Sequence, residues 1–349
     1  MVTETSLDQL NDRERGILRH VVYNYIQTAT PVGSRYISRR FESGLSAATI
    51  RNVMADLEER GYLSHPHTSA GRIPTDLGYR YYVDFLMEVE HLSENEKKSI
   101  ENHLVQTLDP DTILRETSKL LSKISKQLSI VSSPHISSGI FEKLELIPLS
   151  SSKLLVVMSI SKGLIKTIML EVGVEIPRHA LDDISRKLNE RLSGLRLHEI
   201  RDTFAERMRD VQDEKSGLVR LFIESVDHLF ADSREQEKLH IAGTQNIIEQ
   251  PEFVDPQKFR GVIEMIENEE IIVHLLEKHD EMEKEFAVTI GSENNDQKAE
   301  DYSVVTATYD VQGVKGRVGI IGPRRMNYAK VIPIVDYFAK SVVRLLSSS

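Results

Sequence analysis

The chain has 349 residues, 40% hydrophobic and 28% charged, a soluble globular balance with room for two or three domains. It has no cysteine, which excludes disulfides and Cys-ligated zinc or iron–sulfur sites. No apolar leader opens MVTETSLDQLNDRER and no stretch approaches the length of a membrane helix, so a soluble cytoplasmic protein is expected. The net charge of −10 argues against a general nucleic-acid coat, but the charge is unevenly spread. From Pro31 to Ala55, four arginines (Arg35, Arg39, Arg40 and Arg51) face the single acid Glu42, whereas acids crowd Glu264 to Glu285 and Glu293 to Asp301. A basic face on an acidic body suits a specific DNA reader.

In chain order, Asn11-Asp12-Arg13-Glu14 is an N-cap with its acid at N3, opening a helix whose buried stripe is Ile17, Leu18, Val21, Val22, Tyr25 and Ile26. Ser34 starts a short second helix with Tyr36, Ile37 and Phe41 apolar. Glu42-Ser43-Gly44-Leu45 breaks it, Gly44 being free to take positive φ. Ser46 caps a longer helix, Ala47 to about Arg60, which Gly61 stops. In this third helix Ile50, Val53, Met54 and Leu57 bury one side, while Ala47, Ala48, Arg51, Asn52 and Ala55 line the other.

Small residues around one Arg and one Asn suit a face that enters a groove, because Arg pairs bidentately with guanine and Asn with adenine. Taken alone, the same pattern describes an amphipathic helix with a solvated polar side. The sequel separates the two readings. Tyr62-Leu63 and Arg72-Ile73 form two short strands joined by Ser64 to Gly71, a wing that would lie on phosphates or in the minor groove. Residues 1–90 therefore read as a winged helix-turn-helix. Thr75 caps a further helix spaced by Leu77, Tyr81, Phe85 and Val89, whose aromatics belong to core or interface.

Glu94 to Leu108 and Thr112 to Val131 read as helices, the second with Ile113, Thr117, Leu120, Ile124, Leu128 and Val131 on one side. Strands follow at Leu144 to Leu146, Leu154 to Ile160 and Leu164 to Val172. Helices return over residues 176–230, with stripes Leu181, Ile184, Leu188, Leu192 and then Leu197, Ile200, Phe204, Met208, Val211. Leu239 to Ile248 is a candidate strand. A helix from Phe259 leads to strands at Phe286 to Gly291, Tyr302 to Tyr309 and Arg317 to Ile321, and a closing helix runs from Tyr328. Strands, a helical interruption and more strands suggest one sheet domain split by an insertion.

The runs PVGSR, LSAATIRNVMADLEERGYL, HPHTSAGRIPTDLGYRYYVD and GIIGPRRMNY resemble the HrcA family of bacterial heat-inducible transcription repressors, in order over about residues 7–346. The resemblance implies an α+β multidomain protein. A winged helix (1–90) would precede a GAF-like domain (91–172 and 256–349) that holds an inserted dimerising domain (173–255). It also implies repression of chaperone operons by a homodimer on double-stranded inverted-repeat DNA, and a chaperonin partner that keeps the repressor active. Two-fold protein symmetry calls for two-fold DNA.

On this reading Arg51 and Asn52 read bases from the helix that Ala47 opens, and Ser46 and Thr49 lie near phosphates at its N-terminus. Arg35, Arg39, His67, Ser69 and Arg72 hold backbone or minor groove.

Gly313, Gly316, Gly319 and Gly322 lack a Gly-Lys-Ser/Thr ending and read as turn and strand glycines, not a phosphate loop. His65-Pro66-His67 is a weak metal pattern, and His274 and His279 are off a common helical face. No Ser/His/Asp grouping, HExxH or apolar carboxylate pair is legible, so no enzyme, cofactor, metal or membrane partner is expected. The alternative from another class is a ligand-binding or enzymatic module in residues 91–349, with the winged helix as a docking domain.

Overall fold

A computed structural model describes residues 10–40, 44–66, 71–104, 109–134, 139–160, 164–173, 176–209, 217–230, 239–277, 286–311 and 313–348. Helix α1 (Asp12–Thr28) starts on its capping box. Asn11 Oδ1 accepts the N–H groups of Arg13 and Glu14 at 3.0 Å, and Asn11 N–H donates to Glu14 Oε2 at 2.8 Å. Helices α2 (Ser34–Arg40) and α3 (Ala47–Glu59) follow, with Gly44 at φ 69° in the turn between them. Ile17, Leu18, Val21, Val22, Ile37, Ile50, Val53, Met54 and Leu57 are buried, the amphipathic pattern expected of three packed helices.

The hairpin β1 (Leu63–Ser64) and β2 (Ile73–Pro74) pairs Leu63 with Pro74 and Ser64 with Ile73, one residue later on each strand than the sequence suggested. Val32 extends it through a bridge to Arg72, with both N–H···O bonds at 2.9 Å. That approach is why Gly71 carries no side chain: a Cβ there would lie 2.5 Å from the Val32 carbonyl carbon. Helix α4 (Asp76–Tyr81) is capped by Thr75, whose Oγ1 accepts Gly78 N–H at 3.1 Å and donates to Gly61 O at 2.6 Å.

After α5 (Glu94–Leu104) comes α6 (Pro110–Ser125), shorter than the helix expected to reach Val131. Lys126 turns left-handed at φ 57°, and Leu128–Ser132 is instead the strand β3, buried at every residue. Leu128 and Val131 matched a helical stripe by spacing, but a short apolar run with β-branched residues fits a buried strand equally well.

Strands β4 (Phe141–Ser150), β5 (Lys153–Ile160) and β6 (Leu164–Glu171) form an antiparallel sheet in that order. One face buries Leu144, Leu154, Val156, Met158 and Ile168 with side chains of the helices that follow. These are α7 (Arg178–Leu192), α8 (Leu197–Arg207), α9 (Leu218–Glu224) and α10 (Val226–Phe230). Asn189 stitches α7 to β4, accepting Leu144 N–H at 2.7 Å and donating to Leu144 O at 3.0 Å. The sheet's other face shows Ile147, Leu149, Ile165 and Met169, each 41–65% exposed.

This sheet and its helices make one compact unit, Ser132–His240 with Thr308–Arg317 and Val343–Ser349. Strands β4 to β6 thus go with the helices after them, which differs from borders at 173 and 255.

The chain returns through β7 (Leu239–Ala242) and α11 (Thr244–Ile248), where a single strand was expected; Gly243, at φ 85°, separates them. Next come α12 (Pro256–Glu267), α13 (Glu269–Glu277), β8 (Phe286–Ile290), β9 (Tyr302–Val311), β10 (Val314–Pro323) and α14 (Tyr328–Ser348). The five-stranded sheet runs β7-β3-β10-β9-β8, with Val318 opposite Val131 and Ile321 opposite Leu128. Gly316 and Gly322 are close-packing positions in β10: a Cβ would fall 2.3 Å from the Tyr309 ring and 2.4 Å from Gln127 Oε1 respectively.

The first ninety residues and most of this sheet belong to one unit, Met1–Val131, Ile241–Ala307 and Val318–Val342. Ion pairs join them. Asp76 accepts Ser292 N–H and Oγ–H at 3.0 Å and pairs with Arg324 Nη1 at 3.0 Å. Arg80 donates from Nε to Glu293 Oε1 at 2.8 Å and from Nη2 to Val288 O at 2.7 Å. Arg325 bonds Ile26 O and Gln250 Oε1 at 3.0 Å each and pairs with Glu252.

Candidate nucleic-acid interface

The surface starts with how α3 is held. Ser46 is its N-cap: Oγ accepts Thr49 N–H at 3.1 Å and lies 2.9 Å from Thr49 Oγ1. Both hydroxyls are therefore engaged in the cap, although Ser46 itself is exposed. With Ile50, Val53, Met54 and Leu57 buried beneath, the helix turns Ala48, Arg51 and Asn52 to solvent and leaves Ala47 half-buried beside them. Two exposed side chains of this kind, flanked by alanines, leave room for another backbone to approach.

Arg35 and Arg39 stand exposed on α2. Among the described residues, the side chains of Arg35, Arg39, Arg51 and Asn52 have no hydrogen bond, and no salt bridge holds the three arginines. Unpaired arginines are available to an anion. Arg40 is different, lying over the Tyr36 ring at 5.0 Å, while Tyr36 donates to Asn24 Oδ1 at 2.9 Å and ties α2 to α1.

The hairpin residues divide. His67 and Ser69 lie outside the described residues. Arg72 does not extend into solvent: its Nη2 is 2.7 Å from Glu58 Oε2, and its Nε is buried with no hydrogen-bond partner. His65 Nδ1 pairs with the other oxygen of the same carboxylate. Glu58 was absent from the sequence expectations. A signal was there: an acid in the last turn opposes the helix dipole and calls for a compensating cation.

Among the described residues there is no group of three or more His, Cys, Asp or Glu placed to hold a metal ion, and no helix long and apolar enough to cross a membrane. Burial pushes the Tyr79 and Tyr328 hydroxyls well up from their usual range, which keeps them neutral inside the core.

What the fold and this surface define is a multidomain α+β protein whose arginine-faced helical segment precedes two sheets. Residues 111–332 match the family described as HrcA protein C terminal domain. A relative from Chlorobium phaeobacteroides (strain BS1), named "Heat-inducible transcription repressor HrcA", is 44% identical over 348 residues, covering 97% of this chain and 99% of its own. A relative of the same name from Chlorobium chlorochromatii (strain CaD3) is 44% identical over 342 residues, covering 97% and 98%. A solved structure titled as a hypothetical protein aligns with TM-score 0.57 at 25% identity, over 97% of this chain and 98% of that one. The chain belongs to the HrcA family of heat-inducible transcription repressors.

Proposed function

We propose that this chain represses heat-shock chaperone operons by binding, as a homodimer, an inverted-repeat operator in double-stranded DNA. Helices α1 to α3 and the hairpin act as a winged helix-turn-helix, with α3 in the major groove. The observation that carries this reading is the exposed Arg51 and Asn52 on α3, beside the unpaired Arg35 and Arg39 of α2. Arg51 and Asn52 read base edges, whereas Arg35, Arg39 and the α3 N-terminus at Ser46, Ala47 and Thr49 hold phosphates. His67 and Ser69 belong to the wing's DNA contacts.

The five-stranded sheet is the GAF-like domain, and the unit Ser132–His240 is the dimerising insertion. Supporting the dimer is the open face of β4 to β6. Their register sets Ile147 beside Leu155 and Met169, an apolar cluster with Ile147 and Met169 exposed, edged on the same face by the Lys143–Glu145 pair. A chaperonin partner rests on family membership and would act by restoring the operator-competent fold.

The test is a gel shift at fixed salt on an inverted-repeat fragment and on its scrambled counterpart, with and without chaperonin. Preference for the repeat in a complex of dimer size is expected. Equal weak binding to both fragments, with chaperonin present, sinks the proposal.

A further inference from the structure

The carboxylate of Glu58 is shared by two side chains, one from each side of the hairpin. The pairing of Leu63 with Pro74 and Ser64 with Ile73 brings His65 opposite Arg72 as the next step outward. Both then reach back to the last turn of α3: His65 Nδ1 to one Glu58 oxygen, Arg72 Nη2 to the other at 2.7 Å. On its far side Arg72 is fixed by two backbone bonds to Val32. Its Nε is buried and unpartnered, so the side chain is drawn inward at a cost that the Glu58 bond offsets. Arg72 and Glu58 are 25% and 23% exposed, and together they carry no net charge.

We propose that Glu58 is a positioning residue for DNA recognition. It clamps the base of the wing to the recognition helix, and by neutralising Arg72 it keeps that arginine off the phosphates. The proposal rests on the DNA-binding reading above. It reverses the role that the sequence suggested for Arg72: the conspicuous cation of the hairpin sets geometry, and the counterions are released by Arg35 and Arg39. A phosphate contact would contribute about 0.9 to the slope of log affinity against log salt, and a neutralised pair contributes nothing.

The experiment compares the full-length wild type, Glu58→Gln and Arg72→Ala on operator and scrambled DNA over a salt series, with thermal melts to verify folding. In Glu58→Gln, Arg72 is freed, so the slope on scrambled DNA steepens by about one unit and preference for the operator falls several-fold. Adding Arg72→Ala to that variant returns the slope to the wild-type value. Arg72→Ala alone leaves the slope unchanged, a readout that a merely structural residue shares only if it never faced DNA. A slope that flattens by about one unit in Arg72→Ala overturns the proposal, because Arg72 would then be a phosphate contact. Wild-type slope and preference in Glu58→Gln overturn it equally. Should Glu58→Gln fail to fold, Arg72→Ala decides alone. Should the wild type itself not prefer the operator, the DNA-binding reading fails and takes this one with it.

Discussion

Arg80→Met tests whether α4 is held to the sheet by charge. Arg80 makes a fork to Glu293, with Nε to Oε1 at 2.8 Å and Nη2 on the second oxygen, and it also reaches Val288 O at 2.7 Å and Asp84 Oδ1 at 3.2 Å. Burial alone would lower its pKa, yet the bonds to Glu293 and Asp84 raise it, so the guanidinium stays charged. Breaking a fully buried pair costs about 3–5 kcal/mol, and an exposed one costs less than about 1 kcal/mol. The side chains of Arg80 and Glu293 are 21% and 33% exposed, and Glu293 keeps Ile290 N–H at 2.9 Å after the substitution. The loss is therefore about 2 kcal/mol, between those limits. A double-mutant cycle with Glu293→Gln, read by urea denaturation of the full chain, should give a coupling of about 1–2 kcal/mol. A coupling below about 0.5 kcal/mol would refute the idea that this fork fixes α4.

Arg51→Ala should weaken operator binding by about 1–3 kcal/mol and relax specificity at one base position in a competition gel shift; a uniform loss on all sequences would make Arg51 a phosphate contact instead. Gly78→Ala brings a Cβ to 2.2 Å from Tyr62 O, a backbone atom that cannot step aside. The melting transition should fall by the equivalent of about 1–3 kcal/mol, and an unchanged melt would show that α4 can shift away from β1. Ile165→Asp places a charge on the open sheet face, where Ile165 is 65% exposed on the edge strand β6. Sedimentation should then show monomer, with the melt unchanged and operator affinity lost; a persistent dimer would locate the interface elsewhere.

Local chemistry made the N-terminal helices legible. Asn11, Ser46 and Thr75 cap the helices expected of them, because a side-chain oxygen before an apolar repeat has few other uses. The exposed arginines were equally plain, since the stripe that buries Ile50 and Leu57 leaves only one side for Arg51 and Asn52. What the sequence concealed depends on distance along the chain. The strand Leu128–Ser132 looked helical because its partner, β10, lies far downstream and contributes no local signal. The grouping of β4 to β6 with α7 was hidden in the same way, since Leu144 and Asn189 meet only in the folded unit. The partner of Arg72 was hidden for the same reason: a cation in a hairpin advertises its charge, while the carboxylate it pairs with sits fourteen residues earlier at a helix end.

The pairing of β3 with β10 also sets a clock. Ser132 Oγ accepts the N–H of Arg317, 185 residues later, so the centre of the five-stranded sheet cannot close until nearly the whole chain has been made. At about 5–20 residues per second, synthesis leaves β3 without its neighbour for roughly 10–40 s. Throughout that interval the edge of a strand buried at every residue in the folded protein is open to wrong partners, while the helices of residues 12–59, whose contacts are local, can already have folded. The order of synthesis therefore separates an early-folding helical segment from a sheet that closes late.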